Sequence, residues 1–411
     1  MRAAAVVMAI VLLVLIHSPP PSHAQYAVIQ ITDNGRNNMY PRVNDHGFVV
    51  WSASDGTDQE IFMYNGQSVV QLTDNALDDG QPELNNAGQV VWEGDDGADD
   101  EVFLFDGSGI VQLTDNETPD WDPQISDDGN IVWAGWAGQN SAIFIYDGTT
   151  VEQISEDNGY LYDDPKLANN GFVTWVGYGK DEYGQDESCI FLFDGTEAVP
   201  LRHHRFDDAP RVNDLGQVAW WEWIPLIGDS VWLYDGGATK RISANVDGYA
   251  GSPGINNNGY AAWSESGDPD IEVFVYDGAE TRQLHSRVGD DRAAQISGNG
   301  WVAWSGKVGS QYEIFVCQGS EVIQLTENDF DDQGLRVSDE GYLVWHGGTW
   351  PNYEIYLAVP GAAGWSAAST VPLDSEGGSA ALNCLFAWLV PVTSLLIWRL
   401  FRSRKVHSSL A

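Results

Sequence analysis

Basic residues are scarce in this chain of 411 residues: 19 Lys and Arg stand against 60 Asp and Glu, a formal net charge of −41. So large an excess excludes nucleic acid and anionic lipid as partners for the bulk of the molecule. Cysteine is scarcer still, with three residues, too few for a disulfide framework. No Gly-x-Ser-x-Gly elbow, His-Glu-x-x-His pair or phosphate-binding loop occurs, which removes the commonest local signatures of hydrolytic and nucleotide chemistry. Between Gln25 and Val359 no segment carries a helical period. What the chain has in quantity is apolar and aromatic material, 43% and 12% with 18 Trp, enough for a substantial core in spite of the charge.

The few positive charges are placed at the ends. Met1 and Arg2 precede an apolar run, Ala3 to Ile16, three prolines and a Ser22-His23-Ala24 site, which reads as a secretory signal over residues 1–24. A retained anchor is the competing reading, but the run is short for a span. Near the other end, residues 380–398 are mostly apolar and are followed by Arg399, Arg402, Arg404 and Lys405. That order predicts a transmembrane helix with a basic cytoplasmic tail, 399–411. Residues 360–379, rich in Gly, Ala and Ser, read as a flexible stalk. The part between the ends then holds 14 basic against 60 acidic groups, so the exported portion is more acidic than the whole.

Gly-x-x-x-Trp recurs eight times, with Trp51, Trp92, Trp133, Trp175, Trp220, Trp263, Trp304 and Trp345 spaced by 41 to 45 residues. Each unit reads as four short strands: a Pro-x-apolar segment, an apolar run ending in the Trp, an Ile-Phe-x-Tyr-Asp-Gly type strand, and a strand ending in Gln-Leu-Thr. Such a unit is the signature of a β-propeller blade. The eighth unit lacks its fourth strand, while the chain begins with an orphan one, Ala27 to Thr32. Pairing the two would close a ring of eight blades over 25–359 and leave no open edge. The fold class is therefore all-β, an eight-bladed propeller of four-stranded antiparallel blades, plus one C-terminal helix.

Three segments carry a resemblance to a known family: Gln71 to Asn75 (Gln-Leu-Thr-Asp-Asn), Asp122 to Gly129, and Ile143 to Gly148. They resemble TolB-type, WD40-like propeller repeats, which implies a propeller fold in an envelope protein and leaves function open, since such propellers serve as interaction platforms and as enzyme scaffolds. The TolB protein itself has six blades and a second α/β domain, so a role in its transport system is not implied. The small-residue motif, apolar helix and basic cluster at the C-terminus resemble bacterial surface sorting tails, without their Pro-Glu-Pro motif. Cys384 in that helix is a processing or lipidation site on one reading and a small apolar residue on another.

Antiparallel blades put the loops after strands two and four on one face, and those loops hold 42 of the 60 acidic residues. The ligand-binding candidates are Asp78, Asp79, Asp120, Asp122, Asp163, Asp164, Asp331 and Asp332, with Trp121 and Tyr162. Asp95, Asp96, Asp99, Asp100 and Glu101 form the candidate Ca²⁺ cluster. Turn capping and solvation are the plain alternative for all of them. His203 and His285 leave the fourth strands on the same face; related propeller enzymes, the oligogalacturonate lyases, hold a metal with axial histidines. Cys189 and Cys317 read as isolated buried thiols.

The expectation is an exported, membrane-anchored, non-catalytic module at the cell envelope. It needs no cofactor, Ca²⁺ being the one open case. Its partner would be a protein or glycan rather than nucleic acid, and its membrane contact the C-terminal helix. A polysaccharide lyase or glycoside hydrolase on the same scaffold is the alternative. Oligomeric state is not legible.

Overall fold

The computed structural model describes residues 26–361, except 205–206, 225–227, 244–247, 267–269, 285–288 and 319–320, together with the strand Ser369–Val371. The segments read as secretory signal, transmembrane helix and basic tail, Cys384 and His285 lie outside the described residues. No helix among the described residues is long and apolar enough to cross a membrane.

The strands form eight sheets. In the first blade they are Asn38–Val43, Val49–Ser54, Gln59–Tyr64 and Val69–Gln71, hydrogen-bonded in sequence order. All eight repeat tryptophans are buried, at 0–1% exposure. The Trp lies flat on an aromatic ring of the third strand, as in Trp92 on Phe103 at 5.8 Å and 14°, and the same stack recurs at Trp175 on Phe191 and Trp345 on Tyr356. A buried indole of this size contributes about 5 kcal/mol of transfer free energy before ordering entropy is set against it. The core lies between blades: Val50, Ile61 and Met63 of the first blade pack on Val90 and Trp92 of the second.

Closure follows the expected strand exchange. Ala27–Gln30 pairs antiparallel with Asn352–Val359, Ala27 opposite Val359 and Gln30 opposite Tyr356, so the eighth blade is completed by the start of the chain. Two details differ from expectation. Ser369–Val371, within the segment read as a stalk, pairs with Glu321–Gln324 as a fifth strand of the seventh blade. Cys189 is a buried free thiol, but Cys317 is disulfide-bonded, its partner lying outside the described residues; three scattered cysteines carry no spacing that announces a pair.

The first strands hold a feature with no sequence signature. Their pairing to the second strands slips by one residue, between Met39 and Arg42 in blade one and at the equivalent place in blades two to five, seven and eight. The extra residue is left-handed: Tyr40, Gln81, Asp122, Asp164, Ala209 and Ala293 have φ between 48° and 54°. A β-bulge of this kind re-aims the side chains around it. Here it turns them toward the propeller axis.

Candidate functional site

The acidic face is partly interior. Among the described residues ten carboxylates of its loops and strand ends are buried, including Asp79, Asp120, Asp207, Asp332, Glu60, Glu101 and Glu313. Asp79, Asp120, Asp207 and Asp332 each anchor the tryptophan of their own blade. Trp92 Nε1 donates to Asp79 Oδ1 at 2.7 Å, Trp133 Nε1 to Asp120 at 3.1 Å and Trp345 Nε1 to Asp332 at 2.9 Å. A glutamate from the preceding blade completes the latch. Asn75 donates its backbone N–H to Glu60 Oε1 at 2.8 Å and its side-chain amide to Asp79 Oδ2 at 2.7 Å. Glu101, Asn116 and Asp120 repeat this, as do Glu313, Asn328 and Asp332. Burial is the leading cause that raises the carboxyls of Asp120 to about 6, Asp332 to about 7 and Asp207 to about 8.

The sequence candidates therefore divide. Asp79, Asp120 and Asp332 hold blades together, and buried Tyr162 hydrogen-bonds Asn158 Oδ1 at 2.8 Å. Trp121 donates to Asp163 Oδ1 at 2.8 Å across a blade boundary. Asp78 is exposed, its Oδ1 accepting from Gln59 N at 2.8 Å, and Asp331 plays the same part for Tyr312 N at 2.9 Å. Asp122 and Asp164 are the bulge residues and line the axial channel. Of the Ca²⁺ candidates, Asp96, Asp99 and Glu101 bring ligand atoms within 4.8 Å of one another, and Asp55, Glu60 and Asp74 do the same one blade earlier. Asp95 instead caps Gly97 N at 2.6 Å, and Asp100 is exposed.

Between blades three and five the same face opens into a cavity of about 810 Å³, lined by Tyr160, Leu161, Tyr178 and Trp221 beside Asp186, Glu187 and Asp208. Tyr160 stacks on Tyr162 at 6.1 Å and donates to Glu187 Oε1, while His203 Nδ1 lies 3.4 Å from the Tyr160 hydroxyl and 3.8 Å from Glu187. Burial, then Glu187, pushes the Tyr160 hydroxyl far up, so it remains a proton donor. Arg202, next to His203, is not a plain surface residue: it makes a two-pronged bond to buried Glu222 at 3.1 Å and covers Trp232 at 3.7 Å.

The opposite face, read as plain tight turns, is stitched as well. Asp45, Asn86 and Asp127 occupy one turn position in successive blades, and Asn86 Nδ2 bridges Asp45 Oδ2 and Asp127 Oδ2 at 2.8 and 2.9 Å. Glu340 N donates to Asp45 Oδ1 at 2.9 Å, carrying the girdle across the closure. Alternating Asp with Asn puts a donor between like charges. Where the alternation fails, at Asp339, burial and then Asp45 raise the carboxyl to about 6.

A closed ring of eight four-stranded antiparallel sheets places the molecule in the class of β-propellers. No family model and no curated protein matches the sequence. Among solved structures, the β-propeller domain of the Trilobed protease from Pyrococcus furiosus is similar at 12% identity and a TM-score of 0.53, over 72% of this chain and 100% of that one. Its topology is described as an open velcro, whereas here the terminal strands pair. Dipeptidyl peptidase 4 from Porphyromonas gingivalis is similar at 14% identity and a TM-score of 0.54 over 76% of this chain, which spans 56% of that peptidase. TolB from Acinetobacter baumannii is matched at 12% identity and a TM-score of 0.37, which adds nothing to the fold. These likenesses show a propeller and say nothing of chemistry.

Proposed function

We propose that the chain is an exported, membrane-tethered binding module that takes a neutral glycan in the aromatic cavity of blades three to five. The secretory-type start and the apolar C-terminal run followed by four basic residues support the address. The cavity carries the binding reading: the aromatic side chains of Tyr160, Tyr178 and Trp221 line it beside Asp186, Glu187 and Asp208. Sugar C–H faces pack on aromatic rings while hydroxyls donate to carboxylates, a pairing that neither an anionic nor a purely apolar ligand would satisfy. Full-length protein is expected to retain neutral oligosaccharides on a glycan array. Tyr178→Ala and Trp221→Ala should each weaken binding by about tenfold, on the order of 1.4 kcal/mol. Absence of any neutral glycan, or unchanged binding by both variants, defeats the reading. A basic protein segment captured in its place would make the partner a protein.

The Tyr160, Glu187 and His203 cluster favours a second reading, a carbohydrate-active enzyme, because it joins a proton donor, a carboxylate and an imidazole in one cavity. Recovering the retained glycan separates the two. Intact chains support the module, and cleavage lost in Tyr160→Phe supports the enzyme.

Ca²⁺ is proposed as a structural ligand of the loops holding Asp96, Asp99 and Glu101 and, one blade earlier, Asp55, Glu60 and Asp74. Hard oxygen donors on short loops suit it.

A further inference from the structure

Basic residues are rare between the ends of the chain, yet they gather at one place in the repeat. Nine residues before each repeat tryptophan stand Arg42, Glu83, Gln124, Lys166, Arg211, Gly254, Gln295 and Arg336. Four of the 14 basic groups of the exported part share this position, where an even scatter would put fewer than one. All eight blades line the axial cavity of about 810 Å³, and Arg42, Lys166, Arg211 and Arg336 are among its walls.

These cations are not balanced where they stand. Arg42 Nε meets Glu83 Oε1 at 2.7 Å, while Lys166 and Arg211 share Asp164, the latter at 3.7 Å. Asp122, the third carboxylate on the wall, acts on Lys166 as well, so three carboxylates face these four cations. Arg336 has none within ion-pair distance among the described residues; it donates from Nη1 to the carbonyl of Leu335 at 2.9 Å. Its charge is opposed first by Arg42, then by burial and further by Arg211, against a partial attraction from Glu83, and the balance brings it down to about 9. Lys166 is lowered by burial and then by Arg211, with Asp164 and Asp122 offsetting part of that. The carboxylates of the turn girdle lie three residues further along the first strands, about 10 Å away at 3.3 Å per residue, and do not line the cavity.

A purely structural ring would pair its charges one to one, because uncompensated like charges in a half-buried channel oppose folding. We propose that the axial channel is a binding site for a small multivalent oxyanion, a ligand bearing two or more phosphate, sulfate or carboxylate groups, clamped by Arg336, Arg42, Arg211 and Lys166. Guanidinium groups suit such ligands because their forked N–H donors match two oxygens at once. The cavity volume is that of a small-molecule site. The acidic exterior does not prevent this, since its field is screened within about 8–10 Å at physiological salt while the clamp acts by contact. This site is separate from the aromatic cavity and does not depend on the glycan reading.

The test uses the full-length protein with inorganic pyrophosphate and citrate as probes, and sodium chloride at matched ionic strength as control. At millimolar concentration at least one probe should raise the melting temperature by several degrees beyond chloride. Pyrophosphate alone would mark a phosphate site, and citrate alone a carboxylate site. Arg336→Gln without probe should melt no lower than the parent, because a repulsion is removed, and should bind at least tenfold more weakly. Should Arg336→Gln fail to fold, Arg211→Gln serves in its place and carries the same expected loss. Tyr178→Ala should leave probe binding unchanged. The proposal is overturned if neither probe exceeds chloride, or if the folded Arg variant binds like the parent.

Discussion

Asp332 and Asn38 occupy the same position in neighbouring blades, and the exchange of one oxygen for an amide nitrogen shows how the buried carboxyls are charged. Asn38 accepts from Trp51 Nε1 at 3.0 Å and donates to Glu354 Oε2 at 3.3 Å. Asp332 accepts from Trp345 in the same way and stands beside Glu313, whose Oε2 is buried without a partner. A carboxyl can repeat the amide's donation only by keeping a proton, and burial favours that, raising Asp332 to about 7 and Asp120 to about 6. A carboxyl raised on folding stabilises the protein below its unfolded value near 4, and that contribution is lost as pH climbs through the folded value. Stability should therefore fall between about pH 5 and 8. Exposed turn aspartates such as Asp147, held down to about 2 chiefly by Thr149, act in the opposite sense below pH 4 but are screened by water. Asp332→Asn should match the parent in urea unfolding at pH 5 and exceed it at pH 8 by about 1–3 kcal/mol. An equal loss at both pH values would mean that the latch uses the charged form.

At the scale of the element, the loop ends of blades one and two are where a metal would find its ligands. Glu60 and Glu101 each belong to a three-carboxylate group and each carry a buried, unpartnered Oε2. Ca²⁺ there would bridge like charges that otherwise repel, so its binding must add to stability. Millimolar CaCl₂ should raise the melting temperature by a few degrees at pH 8, with the gain reduced in Asp99→Asn. A shift no larger than that from sodium chloride at pH 8 would remove Ca²⁺ from the account. The strands themselves were legible because each unit repeats an apolar run and a Trp, and six of the eight add an Asp-Gly or Asn-Gly turn. Their first-strand bulges were not. Tyr, Gln, Asp and Ala all serve at the left-handed position, so no residue type marks it, and the arginines behind it could not be assigned to the axis. Loop acids failed for a related reason. Asp78 and Asp79 are adjacent and alike in sequence, and only the indole of Trp92 makes one of them interior.

Across the whole molecule, the last blade is completed by a single short strand, and two effects of different size decide what its removal does. Ala27–Gln30 supplies the outer edge of the last blade. Tyr26 reaches further, donating to the carbonyl of Gly341 at 2.9 Å and meeting Trp301 edge-on at 6.0 Å. Thr32 Oγ1 accepts from Ile355 N at 2.8 Å. Losing Tyr26, Val28 and the strand pairing removes roughly 5 kcal/mol, a large share of the 5–15 kcal/mol typical of a folded domain. Packing between the first and last blades remains, however, through Val49, Trp51 and Ala53 against Val344, Ile355 and Leu357. Deleting residues through Thr32 should therefore leave a folded ring that melts about 5–10 °C lower. Its uncovered Asn352–Val359 edge should also self-associate, because an open strand offers unpaired N–H and C=O groups. A synthetic peptide of residues 26–32 added in trans should restore both the melting temperature and the monomer, read by scanning calorimetry and light scattering. Deletion through residue 24 should change neither. If the longer deletion melts within a degree or two of the parent and stays monomeric, the blades hold the ring by face packing alone and the strand exchange is dispensable.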